Sequence, residues 1–557
     1  MSSWMQVVAA LSVLLTLVAA AAQAPLQLSL QPSSHACPPP VVPGVTAASP
    51  RTCTFRNLYL WRGRAYYVTE GPPPDLAKLG LDFELGRLVS APLVGPDSFV
   101  AAATPARFAE LLRAGGSGAA DTEPRRFPLV YFWRAYPVMP DRAGGATCRE
   151  GSPLPGVSNY YHLLSESTTI LSATLCEQFG HCDQYANRSA LRIVDVRPSS
   201  QFVCHGNERY PPYFHEALAC FSRHPLSHIN GSELRSGLVH VDTAWMGLGP
   251  RCRGSVSGCY QAGGPRLPPT PGLMASWRRV LGQCFKFDPE AAAPLHPVRL
   301  LLVDRLYESG RSILNVASVL RTLRARFSPQ QVQLRLEYME GLTIRQQAQL
   351  FAGATVVVHV HGAAMGNYVF LPRGAVALHL APVERKWSPS FSVKLAKDLA
   401  GSSDIEVLKW ANSDARRLHV VQPVVEFTAA RRPQLAKLLA NQSFWRAFLA
   451  SPECPAGLDP QQRKVCQQFL MRAVTASYPP ELLANLTEAA IARAFEKQGA
   501  APAAAAQAGG AGQLVGPQAA RPLQPSRVPL YAFAASAVCL LVWLAVRPQK
   551  AARWRPP

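Results

Sequence analysis

The stretch VRLLLVDRLYESGRSILNVASVLRTLRARFSPQQVQLRLEYMEGLTIRQQAQLFAGATVVVHVHGAAMGNYVFLPRGAVALHL spans residues 298–380. Its opening run, Val298 to Val303, reads as a buried strand. Ser312 to Phe327 follows with Ile313, Val316, Leu320 and Leu323 on one helical face. Val332, Leu334 and Leu336 then alternate with polar residues, which is the period of a strand. Thr343 to Phe351 returns to a helix. Thr355 to Val360 and Ala375 to Leu380 are two further strands, separated by a glycine-containing turn. Strands alternating with helices specify a parallel α/β sheet covered on its faces by helices. Such sheets take their ligands at the carboxyl ends of the strands.

Outward from this core the pattern is less regular. Upstream, Leu129 to Val138, Leu191 to Val196 and Leu238 to Val241 read as strands, and Asn159 to Phe179 as a helix. Residues 248–275 have the composition of a loop or linker. Residues 23–55 are proline-rich, with Cys37 and Cys53 placed to staple them, and short apolar runs with Gly/Pro loops continue to about residue 125. Downstream, residues 415–495 read as largely helical, with Cys454 and Cys466 as a plausible bridge. Residues 499–527, rich in Ala, Gly, Pro and Gln, read as a flexible stalk.

The chain of 557 residues is 48% hydrophobic and 16% charged, which excludes a wholly disordered chain. Val7 to Val18 is an uncharged run followed by small residues, and Ala20-x-Ala22 offers a signal-peptidase site after residue 22. An uncleaved signal anchor is the other reading, since no Lys or Arg precedes the run. Val528 to Val546 is free of charge and long enough to span a bilayer, and the tail 547–557 is basic, as on a cytoplasmic side. Of 13 cysteines, Cys539 alone lies in that span, so an even number remains for disulfides in an oxidising lumen. Sequons at Asn187, Asn230, Asn441 and Asn485 all fall between the two apolar ends and fit a glycosylated lumenal body. The net charge of +21 favours anionic ligands. Without a long Lys/Arg run, and in that compartment, no nucleic acid is expected as partner.

Three constellations can carry chemistry. Arg305 follows a strand, and Arg311 and Asn315 open the next helix, an arrangement that can clamp a diphosphate through bidentate hydrogen bonds. Spacing alone slightly favours the alternative, two solvated surface arginines. The turn His361-Gly362-Ala363, with Asn367 beyond it, lets backbone approach a ligand while His361 donates to a phosphate or sugar oxygen. In Asn159-Tyr160-Tyr161-His162-Leu163-Leu164-Ser165-Glu166, His162 and Glu166 share a helical face, either as an acid/base couple or as a simple i,i+4 contact.

These residues resemble glycosyltransferase family 61, which includes plant xylosyl- and arabinosyltransferases and secretory-pathway protein N-acetylglucosaminyltransferases. The likeness covers roughly residues 155–385 and rests on Arg305, Arg311, Asn315, Glu340, Gln346 or Gln347, His361-Gly362-Ala363, Asn367 and Phe370-Leu371-Pro372-Arg373-Gly374. Two departures stand out. Ala364, Met365 and Gly366 fill the middle of the His-Gly-Ala turn, and His379 replaces the family's Glu.

The resemblance implies an α/β fold of two Rossmann-like lobes (GT-B type), to which the sequence adds the C-terminal transmembrane helix. The divisions are then 1–22 signal, 23–125 N-terminal region, 126–285 first lobe on the acceptor side and 286–400 second lobe on the nucleotide-sugar side. They continue with 401–498 C-terminal helical region, 499–527 stalk, 528–546 membrane helix and 547–557 tail. The implied activity is an inverting transfer of xylose, arabinose or N-acetylglucosamine from a UDP-sugar to a glycan or glycoprotein in the endoplasmic reticulum or Golgi. No Asp-x-Asp occurs, so no metal or other cofactor is expected. Arg305, Arg311 and Asn315, with the turn His361, Gly362, Ala363 and with Asn367, would bind the donor. His162 or Glu166 would be the base. A catalytically inactive lectin-like protein of the same fold is the alternative.

Overall fold

The computed structural model describes residues 30–37, 52–71, 100–115, 123–133, 160, 163–179, 188–195, 212–229, 231–246, 273–307, 310–382, 404–431, 442–443, 445 and 474–499. All of them lie in one compact unit, Met1–Gly509. The signal segment, nearly all of the stalk, the span 528–546, the tail, Cys454, Cys466, Asn187, Asn230 and Asn441 lie outside the described residues. Among the described residues no helix is long and apolar enough to cross a membrane.

The first sheet is built from β1 (Ser34–Ala36), β2 (Cys53–Trp61), β3 (Arg64–Val68), β4 (Val100–Ala103), β5 (Arg125–Trp133), β6 (Leu191–Asp195), β7 (Ser227–His228) and β8 (Val239–Met246). Its order is β4-β3-β2-β8-β5-β6-β7, with β1 added on β2. β8, β5, β6 and β7 are parallel neighbours, whereas β2 runs antiparallel to both β3 and β8. The sheet is therefore mixed, not wholly parallel as a Rossmann-like lobe would be. The reason is a tight hairpin. Arg62 and Gly63 both take left-handed backbone, at φ 51° and 77°, the pairing that two-residue hairpin turns need. The N-terminal region thus supplies four strands to this sheet. A Cys37–Cys53 disulfide ties the end of β1 to the start of β2, as the cysteine positions suggested.

Helices α1 (Pro105–Ala114), α2 (Thr169–Phe179), α3 (Pro212–Leu218), α4 (Ser232–Arg235) and α5 (Leu273–Phe285) accompany these strands. A π-helical turn, Leu163–Thr168, leads into α2, so the helix read over 159–179 is regular only in its second half. A second disulfide, Cys220–Cys284, links the turn after α3 to the end of α5.

The second sheet contains β9 (Val298–Asp304), β10 (Val332–Tyr338), β11 (Val356–Val360), β12 (Val376–Ala381) and β13 (Glu406–Ala411). Its order is β10-β9-β11-β12-β13 and every pairing is parallel. Helices α6 (Val316–Arg326) and α7 (Ile344–Ala352) and a 3-10 helix, Ala363–Phe370, connect the strands. β14 (Leu418–Val420), α8 (Gln422–Arg431), β15 (Val474–Ala476) and α9 (Pro480–Lys497) complete the unit. β14 and β15 pair antiparallel, adding a short two-stranded element to a region, 415–495, whose described residues are otherwise largely helical. That pairing is fixed by contacts distant in sequence, described below.

Strand residues alternate between two cores. Leu301, Val303, Val357 and Ala377 face a core shared with α2, α3, α5, α7 and the first sheet. Leu300, Leu302, Val356, Val358 and Leu378 face a second core formed with α6 and α9. Burial on both faces explains the near-continuous apolar runs of β11 and β12.

Candidate functional site

In this strand order the chain passes from β9 outward to β10 and then crosses back over β9 to β11, so the direction of winding reverses at β9. The crevice outside the carboxyl ends of β9 and β11 is the topological switch point. Arg305 directly follows β9, and His361-Gly362 directly follow β11.

Gly362 is required by close approach. A Cβ built there would lie 2.8 Å from an Arg305 guanidinium nitrogen, so the arginine rests on the turn only because the side chain is missing. Arg305 Nε is 3.8 Å from Glu340 Oε1, at the end of β10. Arg311 sits in left-handed backbone at φ 60°, directly after Gly310 at 70°. A non-glycine residue holds this conformation only when its surroundings impose it. Here three neighbours do so. Asp304, itself buried, accepts from the Ile313 amide at 2.8 Å. The Leu314 amide donates to the Ala476 carbonyl at 3.1 Å, and Thr475 Oγ1 donates to the Ser312 carbonyl. A segment more than 160 residues away thus shapes the Arg311 loop. This is also why the helix expected from Ser312 begins at Val316.

His361 is 8% exposed. Burial pushes its imidazole down to about 3, and the charges of Arg311, His359 and Arg305 add to the effect. The charges of both guanidiniums therefore reach this ring, and Arg305 rests on the Gly362 turn beside it. The imidazole is neutral at physiological pH and works as a hydrogen-bonding group. Asp304 is pushed up to about 6, first by burial, against hydrogen bonds from the Ile313 and Arg305 amides. Leu306, Tyr307 and Leu314, the exposed large apolar side chains among the described residues, flank the two arginines.

The other residues singled out from sequence take different places. Asn315 donates to the Tyr478 carbonyl at 2.6 Å and accepts from the Tyr478 amide at 2.9 Å. It staples β15's exit to the start of α6 and does not reach into the crevice. Asn367 is fully buried, donating to Gln347 at 2.9 Å and accepting from the Tyr160 hydroxyl at 2.6 Å. It holds the 3-10 helix in place and touches no solvent-facing surface. Ala363 is the first residue of that helix. Asn485 is exposed on α9 and accepts from Arg326 at 2.6 Å. His162 and the Glu166 side chain lie outside the described residues.

Two functional neighbours escaped the sequence reading. Arg278, 1% exposed on α5, donates to the carbonyls of Val369 at 3.0 Å and Leu371 at 2.7 Å. It thereby fixes the end of the 3-10 helix that starts at the His361 turn. Burial pulls it down to about 10, so it remains charged at neutral pH. An arginine between Trp277 and Val280, on the apolar face of an amphipathic helix, was the signal for it. Glu216 on α3 accepts from the Ile344 amide at 2.7 Å, capping α7 from another part of the chain.

Residues 160–378 match the family model described as Glycosyltransferase 61. The protein named protein O-linked-mannose beta-1,4-N-acetylglucosaminyltransferase 2 is 31% identical over 123 residues in the dog, Canis lupus familiaris. Its mouse counterpart, from Mus musculus, is 31% identical over 122 residues. Each match covers 22% of this chain and 20% of the relative, so the chain spans about a fifth of the length of the curated relatives it matches. The segment 160–378, which holds Tyr160, both crevice arginines and the imidazole turn, is thus the part of the chain that is similar to glycosyltransferase family 61.

Proposed function

We propose that this protein is an inverting, metal-independent glycosyltransferase of GT-B architecture that uses a UDP-sugar donor. The observation that carries the reading is Arg305 resting on the Gly362 turn at the β9/β11 switch point, beside a neutral His361 that feels the charges of Arg305 and Arg311. In an inverting displacement the acceptor hydroxyl attacks the anomeric carbon while a base takes its proton, and the nucleoside diphosphate departs from the opposite face. Negative charge grows on the leaving phosphate, where fixed cationic and N–H donors stabilise it most. Two guanidiniums can supply that stabilisation in place of a metal. Leu306, Tyr307 and Leu314 offer an apolar lip for the nucleoside end of the donor. The acceptor approaches from the first sheet, and His162 or Glu166 serves as base.

The names of the dog and mouse relatives support N-acetylglucosamine among the candidate sugars, and a protein-linked glycan as acceptor. The body is lumenal in the endoplasmic reticulum or Golgi, held to the membrane by residues 528–546 and glycosylated at Asn187, Asn230, Asn441 and Asn485. Incubation of the full chain with a panel of UDP-sugars and mannosylated peptides tests the reading. Transfer from one donor, with inversion at the anomeric carbon, is the expected result. Saturable UDP binding without transfer from any donor would select the inactive lectin-like protein instead.

A further inference from the structure

His379 lies on β12 directly opposite His359 of β11. Its ring stacks 5.1 Å from His359 at 8° and 5.1 Å from His361 at 17°. Three imidazoles thus form one buried column that ends at the phosphate crevice. The far end is fixed. His359 Nδ1 donates to the Val360 carbonyl at 3.0 Å, so His359 Nε2 accepts from the Tyr368 hydroxyl at 2.5 Å. The near end is the 3.1 Å contact between His361 Nδ1 and His379 Nε2.

The protonation state of the column is set by its surroundings. Burial holds all three rings below their ordinary range; positive neighbours add to it at His361 and His379, while the Val360 carbonyl opposes it at His359. The side-chain charges that reach His361 and His379 are Arg305, Arg311 and Lys409, each a cation. Every ring is therefore neutral at physiological pH, and tautomer, not charge, is the variable. A neutral imidazole carries one N–H. If His379 Nε2 donates, the His361 proton must sit on His361 Nε2. If His361 Nδ1 donates, His361 Nε2 carries a lone pair, which repels a phosphate oxygen.

We infer that His379 is a positioning residue for donor binding: its Nε2–H holds the His361 ring plane and places the His361 proton on Nε2, as a donor to a pyrophosphate oxygen. This rests on the functional reading above. His379 makes no contact with the donor itself and acts through His361.

UDP titration of the full-length chain tests it, with His379→Leu, His379→Gln and wild type compared, and with ring-15N histidine spectra of the wild type recorded with UDP. His379→Leu removes the donor and should weaken UDP binding at least about tenfold. His379→Gln keeps an amide N–H near the position of the imidazole Nε2 and should stay within about threefold of wild type. The wild-type spectrum should show His361 protonated on Nε2, a readout that a merely structural role would not move and that needs no variant to fold. Wild-type affinity in folded His379→Leu, or a His361 proton on Nδ1 in the UDP complex, would overturn the inference and leave the donor site standing. Absence of UDP binding by the wild type would instead overturn the functional reading, and this inference with it.

Discussion

Gly362 and Arg305 show how one missing side chain shapes the crevice. Gly362→Ala places a methyl 2.8 Å from the guanidinium, and the flexible end of Arg305 must give way. The clash is with the free end of a flexible side chain, so thermal stability should be nearly unchanged, while the displaced guanidinium should weaken UDP binding. Undiminished UDP affinity in the variant would show that Arg305 does not work from this position. The positions of Arg305, Arg311 and His361 were legible in the sequence because each sits at a strand end or a helix entry. The hydrogen bonds of Asn315 and Asn367 were not, for a physical reason. Their partners, the Tyr478 backbone and the Tyr160 hydroxyl, are separated from them by 163 and 207 residues, and no local pattern reports such a contact.

Among elements, the loop from Asp304 to Ile313 is the most consequential. Its anchor, Asp304, is buried with its carboxyl pushed up to about 6 from 3.8. The folded state therefore binds the proton more tightly than the unfolded one. The stability this contributes is fully present below about pH 3.8 and is lost as pH rises through about 6, by roughly 3 kcal/mol. Asp304→Asn keeps an oxygen for the Ile313 amide and cannot ionise. Its melting temperature relative to wild type should rise between pH 4 and pH 7.5; an equal offset at both values would contradict the burial account. The second sheet was almost wholly legible, because a doubly covered parallel sheet imposes apolar runs with helical intervals. The first sheet was less so. Its eight strands are scattered over residues 34–246, and the β2–β3 hairpin depends on the Arg62-Gly63 turn. β15 was hidden because three residues, Val474-Thr475-Ala476, carry too little periodicity to read.

At the scale of the molecule, a buried polar link joins the two sheets. Tyr160, from the Asn-Tyr-Tyr-His stretch, donates to Asn367, which donates to Gln347 on α7. Tyr160→Phe would leave a buried amide oxygen without its donor, at a cost of about 1–3 kcal/mol. Chemical denaturation of the full chain should register that loss, and stability equal to wild type would show the link to be dispensable. The same link ties the segment around Tyr160 to the 3-10 helix that begins at the His361-Gly362 turn. Arg278 and the Cys220–Cys284 disulfide brace it from α5. In the proposed function, two guanidiniums and an imidazole grip a diphosphate where β9 and β11 part. The direct measurement is calorimetric titration of UDP into wild type and Arg311→Ala. Truncating one partner of a charge clamp typically costs about 2–5 kcal/mol, so binding should weaken by at least about 30-fold while the variant stays folded. Equal affinity in the two proteins would contradict the account.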